Sequence, residues 1–424
     1  MYFSVKFSKL NGSIRIPASK SHTIRALVFA LLAKGESTIR NPLVSADTFS
    51  ALKMIQSFGA KFRERNKNWI ITGVNSKLII PDNVIDIGNS GTALYLGLGL
   101  ASLIKGRTIF TGDYQIRQRP VDQLVKAIKD LGGEAFSTKK NNTPPVVVQG
   151  PLKGGKTIIK AVTSQYLTSL LIVTPLAKKR TEIQVPLLYE LPYIKMTLNW
   201  LDKLEIKYTH NNFKKFFVSG NQSYPNFKQE IAADFSSATF FLVAAAITRS
   251  EIELLGLDFK DTQGDKEVVN ILKEMGVVFK IKAKSIIVKG QPLQGGVFDL
   301  NSMPDALPAL AVAACQAEGE TRLINVPQAR LKETDRIKVI CSELKKMGAN
   351  IKELKDGLVI KKSNLKGALV NGHDDHRIVM ALSLAGLIAK GITKIDKAEA
   401  VSVTFPNFKD LMIKLGASIK EIKE

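Results

Sequence analysis

The chain has 424 residues, 45% hydrophobic and 7% aromatic, with 61 Lys and Arg against 38 Asp and Glu for a formal charge of +23. That balance is ordinary for a globular chain, and no apolar run reaches the roughly 18 residues that would cross a membrane, so no membrane partner is expected. The basic residues lie singly along helix faces, without blocks or interleaved aromatics, so the charge reads as a Lys-rich surface that attracts small anionic metabolites, not as a nucleic-acid interface.

Residues 1–10 alternate like a strand and lack signal-peptide design, which points to a cytoplasmic chain. The first stretch reads as strands at 2–8 and 13–17, an apolar helix at 26–33, a strand at 38–41, a helix at 46–58 and strands at 61–64 and 69–72. The same succession then returns. A phrase of helix tail, glycine and new apolar strand is centred on Gly59, Gly132, Glu205, Gly276, Gly348 and Gly416, so six copies of about seventy residues fill the chain. The third copy lacks its glycine but keeps the register. Each copy carries a strongly apolar helix, at 26–33, 93–104, 166–177, 238–247, 306–315 and 378–389, and amphipathic helices such as 121–131 and 267–275 accompany them. Alternating strands and helices give the α/β class. Helices apolar on every side belong in the core with sheet around them, an inversion of the usual layering. Loop-forming residues at 221–226 fall near mid-chain and divide the six copies into two groups of three. Cys315 and Cys341 lack metal-ligand or redox spacing and read as reduced core thiols.

A polar cluster precedes each apolar helix: Ser19, Lys20 and Ser21; Asn89 with Ser90, Gly91 and Thr92; Thr163, Ser164 and Gln165; Asp234 with Ser236; Pro304 and Asp305; Asp375, His376 and Arg377. Ser, Thr, Asn and Asp there are expected as caps for the free amides of the first turn. A helix start also favours an anion, and six starts brought together by pseudo-symmetry would line a large anion site.

Residues 150–157 match the phosphate-loop pattern letter for letter, yet strand-forming residues follow Lys156 where that motif needs a helix. The stretch reads as a Gly-rich hairpin. Gly97 and Gly99, inside an apolar helix, lack the strand-turn-helix setting of a dinucleotide site. Lys20 and Arg25 with neighbouring hydroxyls suit phosphate or carboxylate. Lys332, Glu333, Asp335 and Arg336 open an amphipathic helix, with Lys332 and Arg336 expected one turn apart. In the run from His373 to Arg377 the Arg beside the last His argues for an anion, not a metal.

These residues, in this order, resemble the motifs of the 5-enolpyruvylshikimate-3-phosphate synthase family: Pro17 to Ser21 with Arg25, Gly88 to Thr92, Arg119-Pro120, Ser164-Gln165, Pro192-Tyr193, Pro304-Asp305, Lys332 to Arg336, Asp375 to Arg377, and Thr404 to Pro406. The resemblance implies a two-lobed inside-out α/β barrel of six βαβαββ pseudo-repeats, with lobe I formed by 1–13 and 230–424 and lobe II by 14–229. It implies transfer of the enolpyruvyl group of phosphoenolpyruvate to the 5-hydroxyl of shikimate 3-phosphate, by a monomer needing neither metal nor organic cofactor. By the same resemblance Asp305 is the base, Glu333 the proton donor, and Lys20 assists. Shikimate 3-phosphate is assigned Lys20, Ser21, Arg25, Thr163, Ser164, Gln165, Tyr193, Asp305, Gln328 and Lys332. Phosphoenolpyruvate is assigned Lys20, Asn89, Gly91, Thr92, Arg119, Gln165, Arg336 and Arg377. The chemistry agrees, because each ligand carries a phosphate and a carboxylate, and arginine forks bind both groups bidentately.

The chain departs from the family pattern at several places. Tyr95 stands where an arginine is usual, Thr163 where serine is, Gln328 where asparagine is, and Val403 where some members carry lysine. Glu190 replaces the serine that usually touches the substrate phosphate, and a carboxylate there opposes the phosphate unless it turns away. Tyr114 occupies the position of the loop cysteine used by the sister transferase that acts on UDP-N-acetylglucosamine, so that substrate is not expected.

Overall fold

A computed structural model describes residues 1–423 of the protein. Six helices end in one way: Gly59, Gly132, Glu205, Gly276, Gly348 and Gly416 follow them with φ of 104°, 90°, 57°, 105°, 88° and 100°. The next N–H then reaches back across the last turn, as from Ala60 to the Ile55 carbonyl at 3.1 Å and from Ile206 to the Leu201 carbonyl at 2.9 Å. This left-handed step closes off helix carbonyls that have no partner in the helix and turns the chain into a strand. Glu205 takes the same step without being glycine, so the copy that lost its glycine kept its geometry.

The chain forms two compact units, one of Met1–Pro17 with the chain from Ala232 onward, the other Ala18–Ile231. Among the described residues each unit holds three four-stranded sheets of one pattern: a parallel edge pair followed by two antiparallel pairings. In the unit Ala18–Ile231 the sheets begin on the parallel pairs Lys228–Glu230 with Glu36–Arg40, Ile85–Asp86 with Arg107–Thr111, and Gly155–Ala161 with Thr181–Leu188. In the other unit they begin on Asn11–Arg15 with Glu251–Leu255, Val297–Asp299 with Glu320–Ile324, and Leu369–Asn371 with Ile392–Asp396. The N-terminal strand Tyr2–Lys6 lies antiparallel between Ile392–Asp396 and Ser418–Ile422 and so supplies the last strand of the last repeat. The chain ends therefore close the unit they share.

Inside each unit stand three apolar helices: Lys20–Leu32, Gly91–Ala101 and Ser164–Val173 in one, Phe235–Thr248, Leu307–Ala314 and His376–Ile388 in the other. They are buried almost all round, as their composition requires, and each set anchors its own hydrophobic core. Strands such as Gly155–Ala161 bury alternate residues against them and turn Lys156, Ile158 and Lys160 outward. Gly97 and Gly99 allow the close fit: a Cβ on Gly97 would lie 2.5 Å from the Phe110 ring and one on Gly99 2.3 Å from Ser169 Oγ. Cys315 and Cys341 are buried free thiols.

One expectation fails. Residues 150–157 are not a hairpin: Val146–Gln149 pairs with Arg107–Thr111 and Glu134–Ser137, whereas Gly155–Ala161 belongs to the next sheet beside Thr181–Leu188. The stretch is a crossover, and two of its glycines serve backbone packing, a Cβ on Gly150 falling 2.2 Å from the Ser102 carbonyl oxygen and one on Gly154 2.4 Å from that of Lys179. An apolar strand pattern identifies a strand but not its neighbour.

Candidate active site

In the unit Ala18–Ile231 the assigned residues cluster at helix starts. Ser19 caps the helix Lys20–Leu32 by accepting from the His22 N–H, and Lys20 Nζ lies 3.1 Å from Asp47 Oδ2. Arg25, 1% exposed, directs Nε to Thr197 Oγ1 at 3.0 Å, Nη1 to the Ser21 carbonyl at 3.0 Å and Nη2 to the Tyr193 carbonyl at 3.3 Å. Burial pulls its guanidinium down to about 10, while Tyr193 and Glu190 push it back up. Ser90 caps the helix Gly91–Ala101, and Gln165 at the start of the helix Ser164–Val173 donates to Thr92 Oγ1 at 2.7 Å, joining two starts. The Asn89 amide donates to Asp113 Oδ2 and Gln115 Oε1, each at 2.5 Å.

Arg119 follows the short turn Ile116–Gln118 and is nearly buried. Its Cζ lies 3.7 Å from where a Cβ on Gly91 would stand, so the glycine lets the guanidinium rest against the helix start. Two tyrosines brace this corner. Tyr95 and Tyr166 meet edge to face at 5.0 Å, and their hydroxyls donate to the Pro120 carbonyl at 3.1 and 2.6 Å. Tyr95, standing where an arginine is usual, is thus a brace for the neighbouring Arg119 segment. Burial, with Tyr95 and Asp122 nearby, holds the Tyr166 phenol well above its ordinary range against the pull of Arg119.

Glu190 does not turn away. Its Oε2 accepts from the Ser164 N–H at 3.0 Å, the Ser164 hydroxyl at 2.7 Å and the Thr163 hydroxyl at 3.4 Å. It is buried, and it precedes the helix Leu191–Lys203 in the left-handed region, φ 58° and ψ 41°.

In the other unit a single guanidinium organises the assigned residues. Arg336, 1% exposed, grips Asp375 with Nε at 2.8 Å from Oδ2 and Nη2 at 3.1 Å from Oδ1. Its Nη1 reaches Asp305 Oδ1 at 2.7 Å, and Nη2 also bonds Glu333 Oε2. Arg377 Nη2 lies 3.0 Å from Asp305 Oδ2, and Lys332 Nζ 3.9 Å from Oδ1. Burial works to raise the Asp305 carboxyl, but Arg377, Lys332 and Arg336 outweigh it and, despite Glu333, hold it well below the usual carboxylate range. Burial works to lower Arg336, and Asp375, Glu333 and Asp305 reverse that. Three cations, Lys332, Arg336 and Arg377, and three carboxylates, Asp305, Glu333 and Asp375, thus offset one another; a buried charge without such partners would be costly. Asp375 also caps the helix His376–Ile388 through the Arg377 N–H at 2.9 Å and accepts from Thr334 Oγ1 at 3.0 Å. Gln328, in the turn Pro327–Leu331, donates to the Asn301 carbonyl at 2.9 Å, and its Oε1 is buried without a hydrogen-bond partner among the described residues.

The helix expected to open at Lys332 begins instead at Arg336, capped by Asp335 through the Lys338 N–H. Lys332, Glu333 and Thr334 lie in the loop before it, so Lys332 and Arg336 are not stacked on a helix face. Both still reach Asp305. Sequence reasoning missed Asp47, Asp113 and Gln115 as partners of Lys20 and Asn89, since no local spacing signals contacts across 24 to 27 residues. Asp375 was within reach of it, standing two residues before Arg377.

The EPSP synthase (3-phosphoshikimate 1-carboxyvinyltransferase) family model matches residues 5–412. A protein of Ruminiclostridium cellulolyticum named 3-phosphoshikimate 1-carboxyvinyltransferase is 54% identical over 422 residues, covering 100% of both chains. One of the same name from Acetivibrio thermocellus is 53% identical over 99% of each. The solved EPSP synthase of Acinetobacter baumannii, 28% identical, superposes with a TM-score of 0.82 over 99% of each chain.

Proposed function

The chain belongs to the EPSP synthase family, and from that premise we propose that its charged clusters bind phosphoenolpyruvate and shikimate 3-phosphate. The enzyme transfers the enolpyruvyl group of phosphoenolpyruvate to the 5-hydroxyl of shikimate 3-phosphate and releases phosphate, a step of aromatic amino-acid biosynthesis by the shikimate pathway. The division of labour among the residues is the one that family membership implies. Ser21, Arg25, Thr163, Ser164, Gln165, Tyr193, Asp305, Gln328 and Lys332 hold shikimate 3-phosphate. Asn89, Gly91, Thr92, Arg119, Arg336 and Arg377 hold phosphoenolpyruvate, and Lys20 and Gln165 serve both.

The observation that carries this reading is one carboxylate, Asp305, facing three cations, Lys332, Arg336 and Arg377. So surrounded, Asp305 is ionised but a weak base. The carboxylate and phosphate of phosphoenolpyruvate compete for the same arginine forks. As they take Arg336 and Arg377, Asp305 loses cationic neighbours and its basicity rises toward that of a working base. Asp305 then takes the proton of the 5-hydroxyl as that oxygen bonds to C2 of phosphoenolpyruvate. Glu333 protonates the methylene carbon, with Lys20 assisting. The intermediate returns a methyl proton to Glu333 and expels phosphate, which carries away the hydroxyl proton held by Asp305. No step calls on a metal or organic cofactor.

No helix among the described residues is long and apolar enough to cross a membrane. The same reading makes the chain a cytoplasmic monomer without a nucleic-acid partner, its dispersed lysines drawing in anionic substrates. Arg336→Lys tests the assignment, since it keeps the charge and loses the fork. Its KM for phosphoenolpyruvate should rise at least about tenfold with shikimate 3-phosphate affinity little changed. An unchanged KM for phosphoenolpyruvate would remove Arg336 from that site.

A further inference from the structure

The Glu190 carboxylate holds the donors that the proposed site offers to the phosphate of shikimate 3-phosphate, and the inference drawn from it rests on that reading. One oxygen accepts the Ser164 N–H, the Ser164 hydroxyl and the Thr163 hydroxyl. An amide at a helix start beside two hydroxyls is the donor set a phosphate oxygen seeks. The carboxylate is 2% exposed, and its charge also acts on Arg25, which is 1% exposed and otherwise turned toward neutral oxygens. The residue adopts a left-handed backbone, uncommon for glutamate, and that conformation accompanies the inward side chain.

We propose that Glu190 is a built-in counter-ion of the phosphate subsite, which the phosphate of the substrate must displace, so that this side chain sets the affinity for shikimate 3-phosphate. The three donors cannot serve the carboxylate and a phosphate oxygen together, and two anions sharing the pocket repel. With Glu190 in place Arg25 has a compensating charge. When phosphate enters it brings that compensation itself, and Glu190 is released from the helix start. The ligand class is a phosphate monoester, because its oxygens suit the same amide and hydroxyl donors and its charge at least matches that of the carboxylate it displaces, so the balance at Arg25 is kept.

The test is Glu190→Gln in the full chain, which keeps size and an acceptor oxygen but removes the charge. KM for shikimate 3-phosphate should fall about tenfold, with KM for phosphoenolpyruvate within about twofold of the parent. The variant should melt at a lower temperature in phosphate-free buffer, and inorganic phosphate should raise its Tm more than that of the parent. An unchanged or higher KM for shikimate 3-phosphate overturns the proposal and makes Glu190 a fixed part of the helix start. Should this variant not fold, Glu190→Ser carries the same measurements. Ser164→Ala separates the two readings: it raises KM for shikimate 3-phosphate if the subsite is correctly placed, whatever Glu190→Gln does, and leaves it unchanged if the subsite itself is wrong.

Discussion

Arg336 and Asp375 meet fork to fork, Nε 2.8 Å from Oδ2 and Nη2 3.1 Å from Oδ1, with 1% and 0% of their side chains exposed. Because Asp375 also takes the Arg377 N–H, one carboxylate fixes both an arginine side chain and the start of the helix that carries another. Asp375→Asn keeps a cap but leaves Arg336 short of a charge partner. Removing one partner of a buried pair costs about 3 kcal/mol, which a urea titration of the variant should show, together with a raised KM for phosphoenolpyruvate. A stability loss below about 0.5 kcal/mol would mean that the pair is not structurally important.

Tyr95→Phe retains the edge-on contact with Tyr166 at 5.0 Å and removes the hydroxyl that bonds the Pro120 carbonyl. The expected cost is about 1 kcal/mol of stability, with a rise of severalfold in KM for phosphoenolpyruvate through loosening of the Arg119 segment. Steady-state kinetics showing an effect on shikimate 3-phosphate alone would contradict the role given to Tyr95.

Glu343 gives a pH dependence. It is buried and accepts from the Asn371 N–H at 2.9 Å and Lys346 Nζ at 2.8 Å, with His373 Nε2 at 3.0 Å. Burial works to raise its pKa, but these partners outweigh it and bring the group down to about 2. A carboxyl depressed on folding stabilises fully above its unfolded value of about 4.3, and that stabilisation is lost as pH falls toward the folded value. Glu343→Gln should therefore be less stable than the parent by about 1–2 kcal/mol at neutral pH, screening at Lys346 included. The gap should narrow between pH 4 and pH 2, as read from denaturation midpoints; a gap independent of pH would assign the cost to packing.

Glu205 carries the left-handed step, φ 57°, that glycine makes in the other five repeats. Glu205→Gly should stabilise the chain by about 1 kcal/mol, since glycine takes that conformation without the steric cost of a Cβ. A lower melting temperature would show that the glutamate side chain does more than end a helix.

Much of this was written locally. The repeat phrase marked helix ends because a left-handed residue, usually glycine, must stand there, and the all-apolar helices marked the core because no other place accepts them. The helix starts were legible from their caps, with Ser19, Ser90, Thr163, Asp234 and Asp375 each accepting an amide of the first turn. What could not be read were pairings made by topology: the crossover at residues 150–157, mistaken for a hairpin, and the link of Lys20 to Asp47. The inward turn of Glu190 is a further case, since sequence revealed the charge but not whether the backbone would aim it at Ser164 or at water.

Phosphate release tests the central claim most directly, with phosphoenolpyruvate alone and then with shikimate 3-phosphate added, for the parent chain beside Asp305→Ala. The parent should release phosphate only when both substrates are present. The variant should still bind shikimate 3-phosphate and lose about a thousandfold in turnover, the scale of a positioned base. No release by the parent, or near-normal turnover by Asp305→Ala, would contradict the account.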